Sequence, residues 1–185
     1  SSLEKLLEDV RRRSEELNRR SRKVLEDLKD IIRRLKEESK RVLDEAKKKV
    51  DDVERKIDKD RRRETVKEVL ERVEKVVTDV HRINEELLRR ITEVVKEVHE
   101  RNKRLVEESR RVVKEAEEVL RRDVDDSDKV RKALEDVRRL HEEDKRRVDE
   151  SSKEVERLLR ELREDMKRSS EEVERLVKRV RDRLK

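Results

Sequence analysis

The chain of 185 residues is 59% charged and 30% hydrophobic, and it contains no Gly, Pro, Cys, Phe, Tyr or Trp. Strand folds and their turns draw on aromatics, Gly, Pro and Asn-Gly pairs, so an all-β or mixed fold is excluded, and the lack of cysteine excludes disulfides and thiolate chemistry. The formal charge of +6 is the small remainder of 58 basic and 52 acidic residues spread along the whole chain, so no basic arm or stacking surface for nucleic acid is expected.

The first apolar stripe begins at Leu3 and passes through Leu7, Val10, Leu17, Val24, Leu28, Ile32, Leu35, Val42, Ala46, Val50 and Val53 to Ile57, with Ser14, Ser21 and Ser39 on the same face. The mean spacing is 3.6 residues, the period of a straight α-helix rather than the 3.5 of a supercoiled one. A helix is predicted over 2–58. From Ile57 to Val66 is nine residues, or about 2.5 turns, which would throw a continuous helix's stripe onto its opposite face. The chain must therefore turn at Lys59 and Asp60, where Asp60 is suited to cap the next helix.

The second helix, predicted over 61–122, carries Val66, Val73, Val80, Leu87, Ile91, Val98, Leu105, Val112, Ala116 and Leu120, with Asn84, Asn102 and Ser109 in the stripe. The phase slips again across Asp123-Val124-Asp125-Asp126-Ser127-Asp128, an acidic run suited to a helix N-terminus. The third helix, predicted over 126–184, carries Val130, Leu134, Val137, Val148, Val155, Leu159, Leu162, Met166, Val173, Val177, Val180 and Leu184, interrupted by His141, Asp144, Ser152 and Ser170. Short corners imply antiparallel neighbours. The expected fold is all-α: a straight, up-down-up antiparallel three-helix bundle, one domain over 1–185, with helices of about 57 residues and roughly 85 Å. Each apolar arc suits two neighbours and leaves no second stripe, so a monomer is expected.

An 18-residue repeat, five whole turns, runs through the chain: Ser151-Ser152-Lys153-Glu154-Val155-Glu156-Arg157-Leu158 recurs as Ser169-Ser170-Glu171-Glu172-Val173-Glu174-Arg175-Leu176. Levelling Ser21 with Asn102 also levels Ser39 with Asn84 and Ser14 with Ser109. The matching register of the third helix levels Asn102 with Ser151, Asn84 with Ser169 and Ser109 with Asp144. Two equivalent buried networks are expected, Ser21, His99, Asn102, Ser151 and Ser152, and Ser39, His81, Asn84, Ser169 and Ser170. A third joins Ser14, Ser109, His141 and Asp144, with Asn18 nearby. One repeat along from that third set stand Ile32, Ile91, Leu159 and Leu162.

In its 18-residue repeat, Leu/Val core, Glu/Lys/Arg surface and Ser/Asn/His layers, the whole chain resembles de novo designed parametric helical bundles with buried hydrogen-bond networks. The resemblance implies a thermostable structural scaffold with no natural biochemical activity, whose networks specify register and partner. The alternative it leaves open is an interaction module or a component of a designed homo- or hetero-oligomeric helical assembly, pH-responsive through buried histidine. The lack of aromatics argues against a natural spectrin-like or lipid-binding repeat.

Ser109, His141 and Asp144 have the side chains of a nucleophilic triad, but a packed helical core offers neither an oxyanion hole nor a cleft, so no catalytic residue is expected. His81 and His99 lie 18 residues apart on one helix, roughly 27 Å, and cannot share an ion; no metal or cofactor is expected. A buried neutral histidine would make stability fall on acidification, although Asp144 would favour the charged form of His141. No apolar run is long enough for a membrane span and no apolar leader stands at the start, so a soluble chain of undefined location is expected.

Overall fold

Leu, Glu, Lys and Arg all favour the helix, and with no Gly or Pro to interrupt them long uninterrupted helices follow. The computed structural model describes residues 2–123 and 127–185. Among these the elements are α1 (Ser2–Lys59), α2 (Arg63–Asp123) and α3 (Ser127–Arg183), a three-helix bundle as the sequence predicts. Of the acidic run Asp123–Asp128 expected at the second corner, Val124, Asp125 and Asp126 lie outside the described residues, and Asp128 stands in the first turn of α3.

The first corner is held by one side chain. α1 closes with the Asp60 N–H donating to the Lys56 carbonyl at 3.0 Å, and α2 opens with the Val66 N–H donating to the Arg62 carbonyl at 3.0 Å. Between them the Asp60 carboxylate accepts the Arg62 backbone N–H (3.0 Å), the Arg62 guanidinium (2.9 to 3.1 Å) and the Thr65 hydroxyl (2.9 Å). Asp60 thus acts one step earlier than the cap the sequence suggests: it bonds the amide two residues on, an Asx-type turn, and Arg62 supplies the first helical carbonyl. This is why α2 begins at Arg63 rather than at 61. The Arg62 side chain, then its backbone N–H, then Thr65 hold the Asp60 carboxyl well below the usual carboxylate range.

Chain direction follows from which residues meet. Arg13 pairs with Glu115 at 2.8 Å and Arg20 with Glu108 at 2.9 Å, so α1 and α2 are antiparallel, as are α2 and α3, where Arg138 meets Glu117 at 3.4 Å. α1 and α3 are parallel: Lys47 meets Glu172 at 2.7 Å, and Arg179 and Arg183 both reach Glu54. Such exposed pairs contribute little stability each, but they mark the register.

Two compact units emerge, and each draws on all three helices: unit 1 comprises Ser1–Lys29 and Val94–Arg157, unit 2 comprises Asp30–Glu93 and Leu158–Lys185. Unit 2 contains an apolar cluster with Ala46, Val50, Val53 and Ile57 from α1, Val69, Val73, Val76 and Val80 from α2, and Val173, Val177 and Val180 from α3. Unit 1 contains smaller clusters, among them one of Val10, Val112, Ala116 and Val137 and one of Leu17, Leu105 and Val148. Val69, Val76 and Ala133 are buried although they stand beside the stripe read from sequence. Helix faces that touch two neighbours bury a wider arc than a single periodic row.

Candidate functional site

Every helix of unit 1 sends a polar side chain into one layer of its interior. Ser14 of α1 donates its hydroxyl to Asp144 Oδ1 of α3 at 2.8 Å, and Ser109 of α2 donates to Asp144 Oδ2 at 3.0 Å. His141 Nδ1 lies 2.8 Å from the Ser109 oxygen. A serine hydroxyl has one proton; with Ser109 giving it to the ionised Asp144, the Ser109 oxygen accepts from His141, which fixes the neutral imidazole as the Nδ1–H tautomer. Asp144 is 8% exposed, and burial pushes its pKa up, against the opposing effects of the two hydroxyls, Arg147 and His141. Burial also lowers the His141 pKa, outweighing the carboxylates of Glu142 and Asp144. The sequence leaves this direction open; desolvation decides it.

In unit 2, Ser39 donates to Asn84 Oδ1 at 3.3 Å and Asn84 Nδ2 donates to Ser170 Oγ at 3.1 Å, so a chain of hydrogen bonds crosses all three helices. Ser169, level with Asn84 in the expected register, is buried with its hydroxyl unpartnered. The equivalent set in unit 1 behaves differently. Asn102 is 1% exposed with neither amide atom hydrogen-bonded, Ser151 Oγ is likewise unpartnered, Ser21 is buried and Ser152 half-buried. The two sets have the same residue types, so the difference lies in side-chain placement and not in composition.

Two of the histidines lie at the rim rather than in the interior. His81 Nε2 is 3.1 Å from Glu174 Oε1 and His99 Nε2 is 2.7 Å from Glu156 Oε1, and both rings are more than a third exposed. They join neither Asn84 nor Asn102. A histidine at the edge of the stripe reaches outward to charge more cheaply than inward to an amide. Glu156 and Glu174 are partners the sequence reading missed; the signal was their own one-repeat separation, which matches that of His99 and His81.

No protein-family model matches the chain, and neither does any curated protein. Among solved structures it is similar to a "Computationally designed three helix bundle", with 21% identity over 99% of this chain and 89% of that one and a TM-score of 0.63. At that identity the likeness concerns the fold.

The chemistry available to these layers is limited by their geometry. In a nucleophilic triad the carboxylate orients the histidine and the histidine takes the serine proton. Here His141 and Asp144 both converge on Ser109, so the carboxylate competes for the serine proton, and the 3% exposure of Ser109 leaves its oxygen out of reach of a substrate. Each histidine bonds a different partner, and among the described residues no three metal-binding side chains converge. Among the same residues no helix is long and apolar enough to cross a membrane.

Proposed function

We propose that the chain is a designed structural scaffold, a single monomeric domain without catalytic role, cofactor or required partner, in which buried polar layers fix the register of the three helices. The observation that carries this reading is the interchange of slots between repeats. Ser14, Ser109, His141 and Asp144 stand where, 18 residues along each helix, Ile32, Ile91, Leu159 and Leu162 are buried. An apolar side chain packs equally well at several registers, whereas a carboxylate that needs two hydroxyls tolerates one, so a polar layer among apolar layers selects alignment at some cost in stability. The likeness to a designed bundle supports the same reading, and the absence of exposed large apolar side chains among the described residues supports the monomeric state.

The test is to replace the layer by its own counterparts: Ser14→Ile, Ser109→Ile, His141→Leu and Asp144→Leu together. The expected variant remains helical and at least as stable to denaturant, but gives a heterogeneous amide NMR spectrum or a mixture of masses by light scattering. A single sharp spectrum in the original register, with unchanged mass, would show that the layer specifies nothing.

A further inference from the structure

Against Asp144 lies a small, partly open cavity of about 10 Å³, lined by Asn18, Ser21, Asp144 and Arg147 and by the apolar Leu17, Leu105, Val106 and Val148. That volume is about the least that admits a water molecule, and an internal water also needs two to four polar partners. In a largely apolar lining, Asp144, Ser21 and Arg147 carry such groups. Each Asp144 oxygen accepts one serine hydroxyl, which leaves a further acceptor position on each. Ser21 is buried at 5% exposure and brings a hydroxyl that both donates and accepts. The Arg147 guanidinium stands 3.7 Å from Asp144 Oδ1, too far for a direct hydrogen bond and within the span that a bridging water fills.

We propose that this cavity is a binding site for one ordered water molecule, which donates to the Asp144 carboxylate and to Ser21 and accepts from Arg147. The site is particular to unit 1. One repeat along, the slots of Asp144 and Val148 hold Leu162 and Met166, both buried, with Met166 longer than the Val148 it replaces, and the place of Asn18 is taken by Lys36. Apolar volume fills there what polar groups surround here. A metal cation is disfavoured by the same wall: Arg147 already brings positive charge to the carboxylate, and Asn18, Ser21 and Asp144 offer too few oxygens for a hard cation, which takes six or more. The water links the Asp144 layer to Ser21.

A high-resolution crystal structure of the full chain tests this directly. The expected result is one solvent peak in the cavity within hydrogen-bond distance of Asp144 and Ser21, present in the wild type and absent in Val148→Met, which fills the space with the residue its repeat counterpart carries. No peak in the wild type, or a peak that persists in Val148→Met, overturns the proposal. Should Val148→Met fail to fold, Ser21→Val serves as the filling variant with the same two readings. Thermal midpoints in sodium, potassium and ammonium salts at one ionic strength are expected to coincide; a midpoint that follows the cation would assign the site to an ion and overturn the water.

Discussion

Unit 1 and unit 2 are cut from the same three helices at equivalent repeat positions, yet they handle polarity differently. Unit 2 packs a broad valine-rich cluster around Val50, Val73 and Val177 and keeps a short polar chain through Ser39, Asn84 and Ser170. Unit 1 includes smaller apolar clusters around Val137 and Leu105, holds a carboxylate in its interior with two serines, and buries the Asn102 amide with no partner. Asp144 is charged and satisfied, Asn102 neutral and unsatisfied. Depth alone does not describe a buried polar group: its partners decide whether its hydrogen bonds are made, even where, as for Asp144, burial still outweighs them.

The largest effect is expected from moving the buried charge. Leu162→Asp puts a carboxylate into the equivalent slot of unit 2, between Ile32 and Ile91 instead of two serines, and should cost about 3–5 kcal/mol in urea unfolding, as an uncompensated buried charge does. Adding Ile32→Ser and Ile91→Ser should return a large part of that loss; if it returns none, the hydroxyls are not what makes Asp144 tolerable. The two asparagines come next. Asn102→Leu removes an unpaired amide and should raise stability by about 1–2 kcal/mol, while Asn84→Leu removes a bonded one and should lower it by about 1 kcal/mol. Equal effects from the two would erase the contrast between the layers.

Within unit 1, His141 and Asp144 respond to acid with opposite sign. The folded His141 pKa is lowered, so the unfolded chain binds the proton first; stability is full above the ordinary histidine value of about 6.5 and falls as pH drops through it. The folded Asp144 pKa is raised, so its ionised form penalises folding above that raised value, and the penalty is relieved as pH falls toward the ordinary value of about 3.9. Thermal midpoints of His141→Gln should therefore lose the decline between about pH 7 and 5, and those of Asp144→Asn the partial recovery at lower pH. A wild-type profile matched by both variants would refute the assignment. The smallest effect is expected from Asp60→Ala, which removes the three contacts of an exposed corner: a slight drop in midpoint at neutral pH that vanishes below the carboxylate range, since the lowered Asp60 pKa means its contribution is lost on acidification.

Much of this was legible in the residues. The 3.6 period gave three helices, and the phase break after Ile57 located the first corner; matching serines to asparagines levelled Ser39 with Asn84 and Ser109 with Asp144, pairs that are hydrogen-bonded. What the pattern could not carry is side-chain direction. His81 and His99 sit at the stripe's edge, where position alone does not say whether a ring turns inward to an amide or outward to Glu174 and Glu156. Asn84 and Asn102 occupy identical positions in the repeat, and no periodicity distinguishes a rotamer that finds a serine from one that does not. The Arg62 carbonyl opening α2 was hidden for a related reason, since a carboxylate two residues ahead can serve either an Asx turn or a cap.

The repeat itself has a consequence for how such a chain could be rewritten. Because Ser14, Ser109 and Asp144 occupy slots that Ile32, Ile91 and Leu162 occupy elsewhere on the same helices, a polar layer behaves like a movable letter, and its position along the helices like an address. Chains of identical backbone could then be spelled differently, each reading its own segments as correctly aligned and a differently spelled neighbour's as misprinted.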